Sequence, residues 1–152
     1  MTSTTSRAEQ SRPRTLHRAT DTVLLPAQLS ARGFSAAAIA ARVSARRWRR
    51  FGRALVLHNG PLRREEAQRA SLLNCGPRAV LTSFTAAEVL GLDNWRRDDT
   101  HVLVPGGTRI RRVTQLSTRV HYTGDWSAVR EARDAVQEPA AALVIAAGSF
   151  RA

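Results

Sequence analysis

The chain has 152 residues, enough for one domain or two small ones, and 43% of them are hydrophobic, which excludes a chain that is disordered by composition. All 24 basic residues are arginine and the formal net charge is +12, so the composition favours a polyanionic partner. The single cysteine allows no internal disulfide, which fits a cytoplasmic protein. No apolar stretch is long enough to span a bilayer, so we expect no membrane contact. No apolar region follows the first arginines, so we expect no secretory signal.

The first 18 residues predict a disordered basic tail. They are rich in serine, threonine and arginine, contain Pro13, and show no periodic apolar face. Such a tail is either a solvated leader or an arm that adds contacts to phosphates, and we favour the solvated leader.

A helix followed by a tight turn is predicted directly after the apolar run Val23–Leu25, which itself indicates a short strand or the start of a helix. Pro26 suits the first turn of this helix, which is expected to end at Arg32. Gly33 suits the left-handed residue that closes it. The residues expected to face the core are Leu25, Leu29 and Ala31.

A second helix is predicted from Ser35 to Ala45, so that the two helices form a helix-turn-helix. Ser35 is a good N-cap because its hydroxyl can accept a hydrogen bond from an exposed amide of the first turn. Phe34 and Ile39 occupy the two positions of a hydrophobic staple. Helical spacing puts four residues on one face that can be buried, namely Ala36, Ile39, Ala40 and Val43.

The segment Trp48–Leu57 predicts a basic β hairpin with Gly52 at its turn. Trp48 and Phe51 could stack on bases, but such side chains more often anchor a hairpin to its helices, and we favour the core. A helix pair followed by a basic hairpin indicates a winged helix-turn-helix, which we expect over residues 19–58.

Arginines concentrate in this predicted unit. Residues 1–53 carry 11 arginines and two acids, a net charge of +9, whereas the rest of the chain carries +3. We therefore expect double-stranded DNA as the partner, with Arg42 and Arg46 facing a groove from the helix that Ser35 caps. The arginines expected to hold phosphates or to enter the minor groove from the wing are Arg47, Arg49, Arg50 and Arg53.

After the turn cluster His58–Pro61, residues 62–152 predict a small mixed α/β domain, so the whole chain is assigned to the α/β (α+β) class. Predicted helices cover Leu62–Asn74, Phe84–Leu90 and Ala140–Ala147, and predicted strands cover Ala79–Leu81, His101–Val104 and Arg119–Tyr122. Gly106-Gly107 indicates a hairpin turn. The last helix is apolar nearly all round, which predicts exposed apolar surface or association that covers it, and a domain truncated at its C-terminus.

The sequence contains no nucleophile elbow, no phosphate-binding Gly-Lys-Ser/Thr loop and no His-Glu-x-x-His pair. His101 and His121 could approach Asp98 or Asp99 and hold a metal, but their irregular spacing favours ordinary, half-buried polar side chains. Cys75 has no local base and is interpreted as a small buried apolar residue. We therefore expect no enzymatic activity, no cofactor and no metal.

Several segments resemble AbiEi-like antitoxins of type IV toxin–antitoxin systems. The likeness to their N-terminal winged helix rests on Asp21–Leu24 with Gln28, on Gly33–Ser35 and on Arg46–Arg50. Four further segments are similar to GC-rich bacterial proteins with the same opening, namely Leu57–Leu62, Asn74–Ala79, Phe84–Leu92 and His101–Gly107. Those proteins usually continue into a restriction-endonuclease-like domain of unknown function, and no nuclease residue can be carried over to this chain.

For true antitoxins, the resemblance implies autorepression by DNA binding and neutralisation of a nucleotidyltransferase-type toxin. We therefore expect a DNA-binding protein of antitoxin or transcriptional-repressor type. Two alternatives remain open. Residues 62–152 could form an interaction module that binds a toxin or a second copy of the chain, or the chain could be an inactive fragment of an endonuclease-like protein.

Overall fold

The computed structural model describes residues 19–92, 94, 97–133 and 135–149, in which the fold is mixed α+β, as predicted. Its strands form one sheet of three and one sheet of five. The first part contains β1 (Val23–Leu24), α1 (Pro26–Ala31), α2 (Ala36–Ser44), β2 (Arg49–Phe51) and β3 (Ala54–Val56). The second part contains α3 (Arg64–Cys75), β4 (Val80–Leu81), α4 (Ser83–Val89), β5 (Thr100–Pro105), β6 (Thr118–Thr123), a 3-10 turn (Trp126–Ala128), β7 (Glu131–Arg133), β8 (Val136–Gln137) and α5 (Pro139–Ser149).

The three-stranded sheet is antiparallel, with the order β1-β3-β2, and helices cover both of its faces. On one face Leu55 packs with Leu29 of α1 and Ile39 of α2. On the other face Val56 packs with Ala70 of α3. The sheet is therefore the middle layer between the helix-turn-helix and α3.

The turn and cap residues predicted for the helix-turn-helix are confirmed. Gly33 has a φ of 89° and its amide donates to the Ser30 carbonyl at 3.0 Å, so it closes α1 in the left-handed conformation. The Ser35 hydroxyl accepts a hydrogen bond from the Ala38 amide at 3.1 Å. These two contacts fix where α1 ends and α2 begins.

The predicted core faces of α1 and α2 are only partly right. Leu29 and Ile39 are buried. Ala31, Ala36 and Ala40 are exposed, so their prediction as core residues is wrong. The rings of Phe34 and Trp48 pack beside Ile39 against the same cluster, and these bulky groups fill the space beneath α2 that the small alanines were expected to fill.

Helix α3 contributes to the cores of both sheets. Ala70 lies in the cluster under the first sheet, and Leu72 and Cys75 lie in the cluster under the second. The domain boundary predicted at His58–Pro61 stays a prediction. Helix α3, which follows this boundary in the chain, packs against the sheet that precedes it.

Glu66 of α3 is a fully buried carboxylate, with 0% of its side chain exposed. It accepts hydrogen bonds from Thr22 Oγ1 at 2.9 Å, from His58 Nε2 at 2.9 Å, and from the Arg63 amide at 3.0 Å and guanidinium at 2.6 Å. Burial alone raises its pKa, but the hydrogen bonds from Arg63, His58 and Thr22 outweigh burial and lower the pKa to about 2. The carboxylate therefore ties α3 to the residues before β1 and after β3.

The five-stranded sheet has the order β6-β5-β4-β8-β7. Strands β5 and β6 are parallel, with Val102 beside Val120, so the prediction of a hairpin turn at Gly106-Gly107 is wrong. Parallel neighbours require the chain to travel back along the strand before it pairs again. Residues 106–117, which we call the crossover, make this return without a helix.

Helix α5 carries the exposed apolar surface that its composition predicts. Ala142 and Ala146 are fully buried, and Ala142 packs in the core of the second sheet, whereas Val144 is 73% exposed. The predicted tail over residues 1–18 lies outside the described residues. Among the helices described, none has both the length and the apolar character needed to cross a membrane.

Candidate nucleic-acid interface

Strand β2 places two neighbouring arginines on opposite faces of the first sheet. Arg50 pairs with Leu55, whose side chain packs with α1 and α2. Arg49 pairs with Val56, which packs on the α3 side. Directly paired residues share a face, so Arg50 lies on the α2 side and Arg49 on the α3 side. Both are exposed, and Arg49 Nη1 donates a hydrogen bond to the Gly60 carbonyl at 3.1 Å.

Arg42 stacks on two aromatic rings. Its Cζ lies 5.0 Å from the ring centroids of both Phe34 and Trp48, and these rings meet edge to face at 5.4 Å. Trp48 is half-buried against the core and Phe51 is 3% exposed, which confirms their interpretation as anchors. A stacked guanidinium keeps N–H groups at its edge, so the predicted contact of Arg42 with DNA stays a prediction.

Arg46 ends α2 in an unusual backbone conformation. Its amide donates to the Val43 carbonyl at 3.0 Å, the Arg47 amide donates to the Arg42 carbonyl at 3.0 Å, and the φ of Arg46 is 55°. This is a Schellman motif, in which the left-handed position is usually glycine because an L-residue there costs about 1–2 kcal/mol. The side chain of Arg46 is exposed. Strain of this kind clusters at functional sites, which makes Arg46 a candidate site residue.

None of the six predicted DNA-binding arginines pairs with a carboxylate in the part of the chain that the structure describes. Five of them are exposed and Arg42 is half-buried. The only ion pair described before β2 joins Arg32 to Asp21 at 3.8 Å. The end of α2 and the hairpin are therefore strongly positive. The six residues are Arg42, Arg46, Arg47, Arg49, Arg50 and Arg53.

The outward face of α2 consists of small side chains. Four exposed alanines line it, namely Ala36, Ala37, Ala40 and Ala41. The alanines have no hydrogen-bonding group for a base edge, but they can approach a groove closely and contact thymine methyl groups, and the exposed Ser44 in the last turn adds one hydroxyl. Ser35 takes part as the cap that orients this helix, since its hydroxyl is bonded to the Ala38 amide.

The turn of the hairpin is fastened to α3 and to the crossover. The Arg53 amide donates to Asn74 Oδ1 at 2.8 Å, and Asn74 Nδ2 donates to the Phe51 carbonyl at 2.9 Å. Gly52 has a φ of 59°, and a Cβ at this position would collide with Asn74 and with Val113. The hairpin turn is therefore held against α3 and the crossover.

Sequence reasoning missed a second group of arginines beside this turn. A cleft of about 430 Å³, which we call the crossover cleft, is lined by Arg53, Arg78, Arg109 and the start of the crossover. A neighbouring cleft of about 460 Å³ is lined by Arg111, Arg112 and Arg119. The arginines come from distant segments, so the one signal available in the sequence was the run Arg109–Arg112.

His101 and His121 meet as the sequence allowed, but they satisfy each other. His101 Nδ1 lies 2.9 Å from His121 Nε2, and the rings stack at 5.1 Å. Burial lowers the pKa of His121 and lowers that of His101 to about 4. The Asp99 carboxylate is held by Ser117 and Arg119 instead. This confirms the interpretation of the two histidines as ordinary polar side chains.

Cys75 is buried, as predicted, and burial raises the pKa of its thiol to about 11. A thiol in that state is a poor nucleophile, because the thiolate is the reactive form. Across the described residues, no three His, Cys, Asp or Glu side chains lie close enough together to hold a metal ion.

No model of a protein family and no curated protein matches the chain. The resemblance to AbiEi-like antitoxins therefore stays a prediction. What can be said of function rests on the arrangement of the arginines.

Proposed function

We propose that the chain binds double-stranded DNA, as a protein of transcriptional-repressor or antitoxin type. The binding surface, which we call the α2 surface, consists of α2 and the exposed arginines that follow it on the same side: Arg46, Arg47 and Arg50. The observation that carries the proposal is that these three guanidinium groups are exposed and pair with no carboxylate among the described residues. Unpaired arginines on one side of a helix end are suited to backbone phosphates.

The order of the elements supports this proposal. A strand, two helices joined by a tight turn, and a hairpin whose second strand pairs with the first strand follow one another along the chain. In helix-turn-helix proteins, the second helix of such a pair enters the major groove while neighbouring residues hold the backbone. In this chain α2 is that helix.

Phosphate contacts would supply most of the affinity. A helix with its side chains is about 10–12 Å in diameter, which fits a groove about 12 Å wide, and the small side chains on the outer face of α2 allow close approach. Arg46 and Arg47 at its end, and Arg50 on the adjacent strand, would then reach phosphates at the edge of the groove. Each neutralised phosphate releases bound counterions, so binding must weaken as salt rises.

Base readout by α2 is expected to be limited. The exposed alanines offer only apolar contacts, and the Arg42 guanidinium is stacked on Phe34 and Trp48. Sequence preference would therefore come from thymine methyl groups, from the Ser44 hydroxyl, from the edge of the Arg42 guanidinium and from DNA shape. The resemblance to antitoxins extends the proposal to an operator in the chain's own promoter and to a cognate toxin as a partner. The composition extends it to a cytoplasmic location.

The two faces of β2 allow a matched test. Arg50→Ala removes a guanidinium on the α2 side, and Arg49→Ala removes its neighbour on the α3 side. We expect Arg50→Ala to reduce the slope of log affinity against log salt by about 0.9, the share of one phosphate contact. Arg49→Ala should change the slope by less than half of that. Fluorescence anisotropy with a random-sequence duplex, titrated with salt, measures both.

Equal slopes for the wild-type chain and Arg50→Ala would contradict the α2 surface. A reduction by Arg49→Ala alone would move the interface to the α3 side of the hairpin. A gel shift with the chain's own promoter DNA against a random duplex then measures sequence preference separately from phosphate binding.

A further inference from the structure

The crossover cleft brings together three parts of the chain that are far apart in sequence. Arg53 comes from the hairpin turn, Arg78 follows α3, and Arg109 lies in the crossover. All three side chains are exposed. The neighbouring cleft, on the other side of Asn74 and Cys75, adds Arg111 and Arg112, which are also exposed.

The charge of these clefts is one-sided. Six arginines line the two clefts, and Asp99 is the one carboxylate among the described residues that line them. Asp99 already holds Arg119, at 3.4 Å, and the Ser117 hydroxyl. The structure pairs no described carboxylate with Arg53, Arg109, Arg111 or Arg112. Guanidinium groups gathered in this way repel one another unless an anion lies between them.

The walls of the crossover cleft are held in place by hydrogen bonds. The Arg53 amide is bonded to Asn74 Oδ1 at 2.8 Å. At the start of the crossover, the Gly106 amide donates to the Thr123 carbonyl at 2.7 Å, and the Thr108 hydroxyl donates to the Pro105 carbonyl at 2.6 Å. The cleft is therefore built before any ligand arrives, which reduces the entropy cost of binding.

Arg78 is also positioned. Its Cζ lies 5.3 Å from the centroid of the half-buried Trp126 ring, a stacking geometry that leaves the edge of the guanidinium free to donate. Planar guanidinium groups with free edges bind phosphate oxygens through paired hydrogen bonds.

From these observations we propose that the crossover cleft binds phosphate groups of a nucleic-acid backbone. The inference rests on the proposed function, since it extends the interface from the α2 surface past the hairpin turn. It adds Arg53, Arg78 and Arg109, together with Arg111 and Arg112 of the neighbouring cleft, as phosphate ligands.

A nucleic-acid backbone fits better than a free nucleotide. No aromatic side chain is among the described residues that line the crossover cleft, so a base has nothing to stack on there, and Tyr122 is the one aromatic residue described in the lining of the neighbouring cleft. The guanidinium groups are spread over two adjoining clefts, as a chain of phosphates requires.

The test uses the double variant Arg109→Ala/Arg112→Ala in the full chain, with a random duplex of about 24 base pairs. Both residues are exposed, so we expect the variant to fold like the wild-type chain. Two lost phosphate contacts should reduce the salt slope by about 1.8, so that the affinity lost between about 50 and 200 mM salt shrinks about tenfold. Arg109→Lys/Arg112→Lys should restore most of the slope, because lysine still binds phosphate as a point charge.

Two controls separate this inference from the proposed function. Arg130→Ala removes an exposed arginine that lines neither cleft and should leave the slope unchanged. Arg50→Ala reports on the α2 surface. If Arg50→Ala lowers the slope and Arg109→Ala/Arg112→Ala does not, the inference is overturned and the proposed function stands. If neither variant lowers the salt slope, the inference and the proposed function are both overturned. If only Arg109→Ala/Arg112→Ala lowers the slope, the result supports phosphate binding at the cleft and contradicts the α2 surface.

A free phosphate compound is the other source of the same chemistry. Calorimetric titration with inorganic pyrophosphate measures it directly. Saturable pyrophosphate binding that Arg109→Ala/Arg112→Ala abolishes, with an unchanged duplex salt slope, would assign the cleft to a small anion and overturn the inference. Absence of pyrophosphate binding together with the reduced slope supports a nucleic-acid backbone.

Discussion

Helices α2 and α3 lie on opposite faces of the same small sheet, and they differ in almost every other respect. In α2, nine residues long, Ile39 is the one buried residue. In α3, twelve residues long, six residues are buried, including the polar Glu66 and Gln68. The comparison teaches that α3 is packed over much of its surface, whereas α2 packs through one side and leaves the rest of its surface exposed. Changes in α3 should therefore affect folding, and changes around α2 should affect binding.

The largest expected effect is that of Glu66→Ala. The change leaves the partly exposed donors of Thr22, His58 and Arg63 without their common acceptor. Each hydrogen bond to a charged group contributes about 1.5–3 kcal/mol, and water replaces part of this at the exposed donors, so we expect a loss of unfolding free energy of about 4 kcal/mol. Chemical denaturation measures it.

Glu65→Ala is the matched control in the same turn of α3. Glu65 has one described ionic contact, to Arg63 Nε at 3.7 Å, and it is half-buried. Its loss should cost less than about 1 kcal/mol. Similar costs for the two variants would show that α3 is not anchored by the Glu66 carboxylate.

The pH dependence of stability should separate the contribution of His101 from that of Glu66. His101, buried in the second sheet, has a pKa of about 4 in the fold against an ordinary value of 6.5. As pH falls, the His101 side chain is therefore protonated in the unfolded chain before it is protonated in the folded one, so the free energy of unfolding falls as pH drops from 6.5 to 4. Glu66 has a pKa of about 2 against 4.5, so its contribution is full above pH 4.5 and is lost as pH falls towards 2. Each shift corresponds to about 3 kcal/mol.

Two variants assign these windows. His101→Asn should flatten the loss of unfolding free energy between pH 6.5 and 4, and Glu66→Gln should flatten it below pH 4.5. Urea denaturation at a series of pH values gives both curves. An unchanged upper window in His101→Asn would mean that another group titrates there.

Substitution by alanine should lower the free energy of unfolding by different amounts at Gly33 and at Gly52. Gly33, with a φ of 89°, has open space where a Cβ would lie, so Gly33→Ala should cost only the left-handed penalty of about 1 kcal/mol. Gly52 has a φ of 59°, and its Cβ would meet Asn74 and Val113. Gly52→Ala should therefore cost about 2–3 kcal/mol, because clash adds to the penalty. Equal costs by thermal unfolding would mean that the turn is not held against α3.

Local features of the fold could be predicted from the sequence because each depends on a few neighbouring residues. The Ser35 cap, the Gly33 helix end and the Gly52 turn are of this kind. The parallel pairing of β5 with β6 could not, since Gly106-Gly107 is equally suited to a hairpin and the partner strand is chosen by the packing of the whole sheet. The exposed alanines of α2 were misassigned because spacing alone does not show which small residues a ring will displace.

The candidate site was predictable only as a charge cluster. The density of arginine from Arg42 to Arg53 predicts a basic surface, but not that strand pairing divides Arg49 from Arg50. The left-handed conformation of Arg46 contradicts the usual preference for glycine there, so nothing in the sequence predicts it. The crossover cleft is lined by residues more than 20 positions apart in sequence, such as Arg53 and Arg78, and only the tertiary fold brings such residues together.

The most direct test of the account is Arg46→Gly, measured for stability and for duplex binding in the same preparation. Glycine relieves the left-handed strain and removes one guanidinium group. We predict that unfolding free energy stays unchanged or rises by up to about 1 kcal/mol, while the salt slope of binding falls by about 0.9. Unchanged binding, or a loss of stability that accounts for weaker binding, would contradict the claim that this strained arginine is placed there to hold DNA.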